Sequence, residues 1–205
     1  MSTQKNNAKS TWQHIARRIR VPMGFLFSGF FIYFAHPTWI SLGWSLLLAL
    51  PGLWLRAYAS GYVKKNAELT MSGPYAYTRN PLYLGSMAIA FGFAAASRNL
   101  WILLALTALF LIIYLPVIRA EEELLRGKFP GFDAYAARVP RLLPRPLSRL
   151  APVRADRVEG FFSAASWRRH REYNSLIGAS VLYAALILKL NATQILNLFH
   201  LSGAH

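Results

Sequence analysis

Residues 73–85, GPYAYTRNPLYLG, decide how the chain is read. Gly73 and Pro74 suit a tight turn, and Asn80 is a residue type that caps helices. Pro81 fits the first helical position, where its fixed φ is already helical and its missing N–H has no partner to lose. A polar turn therefore runs straight into an apolar helix. Within it Tyr75, Tyr77, Arg79, Asn80 and Tyr83 offer donors, acceptors and aromatic faces beside a helix N-terminus, which favours anions. The pattern predicts a binding edge at a membrane surface.

The flanking sequence supplies the membrane. The chain has 205 residues, of which 55% are hydrophobic and 15% charged, and its mean hydropathy is +0.29. That is one domain's length and too apolar for a typical soluble protein. A formal charge of +15 would suit nucleic acid, but Trp, Phe and Leu fill long apolar blocks while the arginines sit in the connectors. Membrane lipids, not nucleic acid, are the expected partner of that charge. The absence of cysteine excludes disulfides, thiolate nucleophiles and cysteine metal sites, and the five histidines show no HxxxH spacing, so no metal site is expected. The basic start, MSTQKNNAKSTWQHIARRIR, is followed by no small-residue cleavage site and reads as leading into a retained helix.

Five apolar segments, 21–35, 39–58, 81–97, 100–118 and 174–190, predict an all-α, polytopic membrane helical bundle of about five transmembrane helices. Before them, residues 1–20 form a basic amphipathic segment, with Trp12 and Ile15 among Arg17, Arg18 and Arg20. His36 and Pro37 turn the first two helices into an antiparallel hairpin; the second tolerates Pro51 and Gly52 because neighbours can satisfy a freed carbonyl. The third is rich in Gly and Ala, suited to close helix approach within the bundle or between two copies, and the oligomeric state stays open. Asn99 is the expected cap of the fourth, and Pro116 is placed to kink it. That helix continues into water as RAEEELLRGKF, with Arg119 placed to pair with Glu122 or Glu123 and Glu122 with Arg126. A short helix is expected around Phe132 to Arg138.

The organisation is thus 1–20, a core over 21–145 that carries residues 73–85 and the glutamates on one face, a basic connector over 146–173, and a last helix with an interfacial tail over 174–205. Lysine and arginine gather before residue 21, in 56–80 and in 119–171, leaving Arg98 and Lys189 on the other side. The positive-inside rule makes the basic side cytoplasmic, with the N-terminus, and the expected location is a bacterial inner membrane.

GPYAYTRNPLYLG resembles the GPYxxxRHPxYxG motif of the isoprenylcysteine carboxyl methyltransferase and phospholipid N-methyltransferase group of integral membrane methyltransferases. A second block, Glu121, Glu122, Leu125 and Phe129, then Tyr135, Val139, Arg141 and Pro144, is similar to the pattern that follows that group's fourth core helix. The two cover roughly residues 50–145. The resemblance implies S-adenosyl-L-methionine as cofactor, held in a pocket on the cytoplasmic face, and a lipophilic acceptor, an isoprenoid or lipid carboxylate, amine or thiol, arriving from the bilayer. Its cofactor-contacting residues carry over to Tyr75, Arg79, Asn80, Pro81, Tyr83, Glu121 and Glu122, with Tyr135 and Arg141 in a lid. These residue types suit such a ligand, since acidic groups hold ribose hydroxyls or offset a sulfonium, rings face the cation, and Arg79 with the helix N-terminus holds a carboxylate. Three departures stand out. Asn80 replaces a commoner His and removes a titratable base, Pro130 looks inserted, and Phe132 stands where Tyr is frequent.

Methyl transfer from a sulfonium is an in-line displacement, so the protein chiefly aligns two substrates and excludes water. A carboxylate acceptor needs no base, while an ammonium or thiol must first lose a proton to Glu122, a tyrosine or water. The catalytic candidates are Arg56, near the end of the second helix and placed to reach the acceptor, and Glu122; for Arg56 the alternative is simple snorkelling to headgroups. Tyr77 reads as an interfacial aromatic, and the arginines of 138–171 as lipid anchors worth about 1 kcal/mol each. Two other classes stay open: a membrane reductase using a nicotinamide cofactor on a similar frame, for which no GxGxxG is present, and a non-catalytic membrane protein.

Overall fold

Apolar stretches fold as helices, and the Pro or Asn at the head of several sets where each begins. The structure, a computed structural model, describes residues 18–19, 22–62, 68–144, 161–169 and 172–202, without the side chains of 196–202. The expected amphipathic approach before residue 18, residues 63–67, most of the connector (145–160 and 170–171) and the last three residues lie outside the described residues. The helices are α1 (Pro22–Phe34), α2 (Trp39–Tyr62), α3 (Pro81–Ser97), α4 (Leu100–Lys128), α5 (Phe132–Arg138), α6 (Ala164–Arg169) and α7 (Tyr173–Ser202). No strand occurs among the described residues. The protein is an all-α integral membrane bundle. Three helices are long and apolar enough to cross a membrane, α2, α4 and, over Tyr173–Ile195, α7, while α1 and α3 are shorter apolar helices.

Local chemistry explains most boundaries. Thr38 and Ser41 cap α2 reciprocally, each backbone N–H donating to the other's hydroxyl at 2.9 and 3.1 Å. Asn99 caps α4 by accepting from the Trp101 N–H at 2.9 Å. Inside α4, Phe110–Tyr114 form a π-helical turn just before Pro116, so the interruption caused by the proline's missing N–H is absorbed in the bonding register. α7 runs on to Ser202, through the stretch expected to be an interfacial tail, because no Pro or Gly interrupts 191–202.

α3 is the central helix, with Pro81, Gly85, Gly92, Phe93, Ala94 and Ala96 buried. Its glycines answer the choice between internal packing and a dimer face by packing against α2. A Cβ on Gly52 would lie 2.7 Å from the Gly85 carbonyl, and one on Gly92 would lie 2.8 Å from the Ser45 carbonyl. α2 turns Trp39, Trp44, Leu47 and Trp54 outward, an exposed apolar face suited to lipid. α7 joins the bundle through Leu186 and Leu190, and Tyr183 bonds the Ser45 hydroxyl and the Leu42 carbonyl. At the end of α1, the Lys189 ammonium donates to the carbonyls of Ile32 and Tyr33 at 2.7 and 2.6 Å, and Asn99 Nδ2 donates to that of Phe34 at 3.0 Å. These donors satisfy the last-turn carbonyls that a helix cannot pair internally.

Candidate functional site

The GPY turn is built around its glycine. Gly73 has φ +58°, a left-handed conformation, and a Cβ there would meet the Tyr62 ring at 2.7 Å. Residues 73–76 make one 3₁₀ turn with Pro74 buried beneath it, and the chain then enters α3 at Pro81, fully buried at the first helical position. Asn80 does not cap the helix with its side chain as its type predicts. Its amide is claimed by tertiary partners instead, donating to Glu122 Oε1 and to the Arg141 carbonyl, both at 3.0 Å.

Glu122 is where the two sequence blocks meet. It is 3% exposed, and one oxygen takes the Asn80 amide. The other faces Arg141 Nε at 3.0 Å and its terminal nitrogen at 2.9 Å, and an Arg79 terminal nitrogen at 3.5 Å. The expected surface pairings of Glu122 with Arg119 or Arg126 are therefore corrected: Glu122 points under the following segment, and Arg126, farther along α4, pairs with Asp133 at 2.7 Å. Both Glu122 oxygens are engaged by donors, which leaves the carboxylate poorly placed to reach a substrate as a base.

The segment after α4 folds back over the turn. Pro130 and Gly131 reverse the chain, and Phe132, Tyr135 and Val139 form a small core with Leu69, Met71 and Phe129. The Arg79 N–H donates to the Pro140 carbonyl at 2.9 Å, and the Tyr135 hydroxyl donates to the Tyr75 carbonyl at 2.7 Å. Burial pushes the Tyr75 phenol above its ordinary range, with Tyr135 and the carboxylates of Glu172 and Glu121 adding to the rise and Arg56 opposing it. Burial likewise raises Tyr135, against the opposing charge of Arg79. Neither phenol is a base near neutral pH. Replacing Tyr135 with Phe removes a bond worth about 1 kcal/mol and is expected to lower the melting temperature by roughly 2–4 °C, as thermal unfolding in detergent would read.

These residues surround a cavity of about 390 Å³. Of the nine cofactor candidates, Tyr75, Arg79, Asn80, Pro81, Tyr83, Glu121, Glu122 and Tyr135 line it; Arg141 reaches it through Glu122. Tyr83 donates to Glu121 Oε1 at 2.9 Å. Arg79 Nε is buried with no hydrogen-bond partner, a cationic donor left over at the cavity. Tyr77 is 40% exposed and stands apart from this set, as an interfacial residue would.

Arg56 is not brought together with Glu122. It lies at a second, mostly apolar cavity of about 440 Å³ between α1, α3, α4 and α7, whose lining includes Phe31, Met87, Phe93 and Leu106. Tyr83 lines both cavities. Far from snorkelling, the Arg56 guanidinium is held on every side. Nε donates to the Ser175 hydroxyl at 3.0 Å, one terminal nitrogen donates to the Leu82 carbonyl at 3.2 Å and to the Ser86 hydroxyl, and the other lies 2.8 Å from Glu172 Oε2. Glu172 is the residue that sequence reasoning missed. Its one available signal was an acidic residue standing among arginines at the entry to the last apolar segment.

Residues 45–130 match the phospholipid methyltransferase family. A nickel-cobalt-cadmium resistance protein of Alcaligenes xylosoxydans xylosoxydans is 39% identical over 93 residues, 45% of this chain and 43% of that protein. A cobalt-zinc-cadmium resistance protein of Cupriavidus metallidurans is 34% identical over 125 residues, 56% of this chain and 57% of that one. The chain thus spans about half the length of these curated relatives. No solved structure matches it.

Proposed function

We propose, from the match of residues 45–130 to the phospholipid methyltransferase family, that the protein is an S-adenosylmethionine-dependent enzyme that methylates a lipophilic acceptor reached from the bilayer. The observation that carries this reading is the pair of cavities that share Tyr83 as a wall, one with the charged side chains of Arg79, Glu121 and Glu122 in its lining and the other with Arg56 as its one charged residue among the described residues. Two substrates of opposite character would meet there.

The residues around Arg79, Glu121 and Glu122 fit the cofactor. The unpartnered Arg79 Nε and the N-terminus of α3 would hold its carboxylate, and Glu121, fixed by Tyr83, together with the aromatic rings suits its cationic and hydroxyl groups. When bound, the cofactor supplies an electrophilic methyl group on a good leaving group. The protein's part is then to orient and to exclude water. Glu122 locks Arg79, Asn80 and Arg141 in place, α5 covers the site, and Arg56 receives the polar end of the acceptor. The basic face that carries the site would be cytoplasmic.

The two relatives are named for resistance to nickel, cobalt, zinc and cadmium, and under this reading a methylated lipid would be this chain's contribution to such a setting. Among the described residues no three His, Asp or Glu side chains are grouped to bind a metal ion.

Thermal unfolding with and without S-adenosylhomocysteine tests the reading. At a ligand concentration of about 100 times Kd the stabilisation is about 2.7 kcal/mol, a rise of several degrees, and Arg79→Gln should reduce it. No rise in folded protein, with a rise on adding a nicotinamide cofactor, would replace the methyltransferase reading with the reductase one.

A further inference from the structure

Outside the family-matched residues, α7 contributes Ser175 to the lining of the acceptor cavity, and Glu172, just before α7, grips Arg56 from behind that lining. Ser175 receives the Arg56 Nε–H at 3.0 Å, and Glu172 sets a carboxylate oxygen 2.8 Å from a terminal nitrogen and 3.3 Å from the Ser175 hydroxyl. Both acidic and basic partners are largely withdrawn from solvent, with side-chain exposures of 21% for Arg56 and 10% for Glu172. The rest of the lining is apolar apart from Ser28, Ser86, Ser175 and the hydroxyls of Tyr83 and Tyr114, so among the described residues Arg56, with the carboxylate bound to it, sets the charge at the cavity's polar end.

Most of the guanidinium's donors are fixed to groups that cannot leave. Leu82 offers a backbone carbonyl, and Ser86 sits on the same helix as that carbonyl. Glu172 is different: it is a carboxylate in the turn just before α7, seated on Arg56 in the way a ligand's anionic head would be. It both aims the guanidinium and competes for it.

We propose that the apolar cavity takes a single-chain amphiphile whose anionic head replaces the Glu172 carboxylate on Arg56, so that Glu172, supplied by the turn before α7 and not by the family-matched residues, selects the head group. The proposal rests on the methyltransferase reading only in calling that amphiphile the methyl acceptor. An anionic oxygen head is nucleophilic without losing a proton, which agrees with a Glu122 whose two oxygens are already engaged.

The test is equilibrium binding of hexadecanoate and hexadecylamine by the full chain in nanodiscs of zwitterionic lipid, at mildly alkaline pH. The wild type should prefer hexadecanoate. Glu172→Gln keeps an acceptor for Arg56 but removes the competing charge, so it should tighten hexadecanoate by about tenfold or more and weaken hexadecylamine. Equal change in both probes, or no change in their ratio, would make Glu172 a structural clamp and overturn the proposal. Arg56→Gln supplies the independent check, since it must abolish the preference for hexadecanoate, and retention of that preference overturns the proposal even if Glu172→Gln fails to fold. S-adenosylhomocysteine stabilisation is measured on the same samples. Its absence beside a confirmed charge preference would remove the methyltransferase reading and leave the cavity's selectivity standing, whereas its presence beside an unmoved ratio would remove only this proposal.

Discussion

Glu122→Ala is expected to abolish stabilisation by S-adenosylhomocysteine and to lower the protein's own stability by about 3–5 kcal/mol. The size follows from what the carboxylate holds. Arg141, Arg79 and the Asn80 amide converge on its two oxygens, and its own side chain is 4% exposed. Alanine would leave two guanidinium groups facing each other without an anion between them. The Arg79 guanidinium would then no longer be held at the cavity, and Arg141 would lose the partner that ties the segment after α5 to α4. Thermal unfolding with and without the ligand reads both effects, and Glu122→Gln, which keeps one acceptor oxygen, should fall between the wild type and alanine. Stability within about 1 kcal/mol of the wild type, with the ligand shift intact, would show that the cluster is not held by Glu122.

Gly85→Ala is expected to cost activity out of proportion to stability. The added methyl would lie 2.6 Å from Arg56 Cγ and 2.7 Å from the Gly52 carbonyl. The second contact is with backbone, so α2 and α3 must separate, an overpacking cost of about 1–3 kcal/mol. The first contact is with the stem of the residue assigned to the acceptor. A displacement of that guanidinium by an ångström would slow methyl transfer by about 10²-fold. Gly127→Ala is the matched control: a Cβ there meets nothing within 4 Å, and in a helix alanine is favoured over glycine by up to about 1 kcal/mol. The comparison is between initial rates and melting temperatures of the two variants, and equal behaviour would mean that the α2–α3 seam does not position Arg56.

The sequence made the helices legible because their signals are local. Pro81 starts α3, Asn99 caps α4, and Phe132 to Arg138 form the short helix expected of them. That the candidate residues gather around one cavity was legible for a related reason, since a contiguous turn and two glutamates one helix later supply about half of the residues that line it. What failed were inferences that stop at the neighbouring turn of a helix. Glu122 looked like a surface residue with a basic partner four residues away, but the Arg141 segment folds over it. Asn80 looked like a cap, but a buried carboxylate outcompetes the backbone N–H groups for its side chain. Glu172 could not have been assigned to Arg56 from sequence, because the two stand 116 residues apart and only the packing of α7 against the bundle brings them together.

The bonds from Lys189 to the carbonyls of Ile32 and Tyr33 join residues 157 and 156 positions apart. During synthesis α1 emerges well before α7, so two of its closing carbonyls wait for a donor that follows 157 and 156 residues later. An apolar helix end without water cannot leave such groups unpaired at low cost. α1 is therefore completed only once α7 has docked against it, so a helix delivered early to the bilayer settles late.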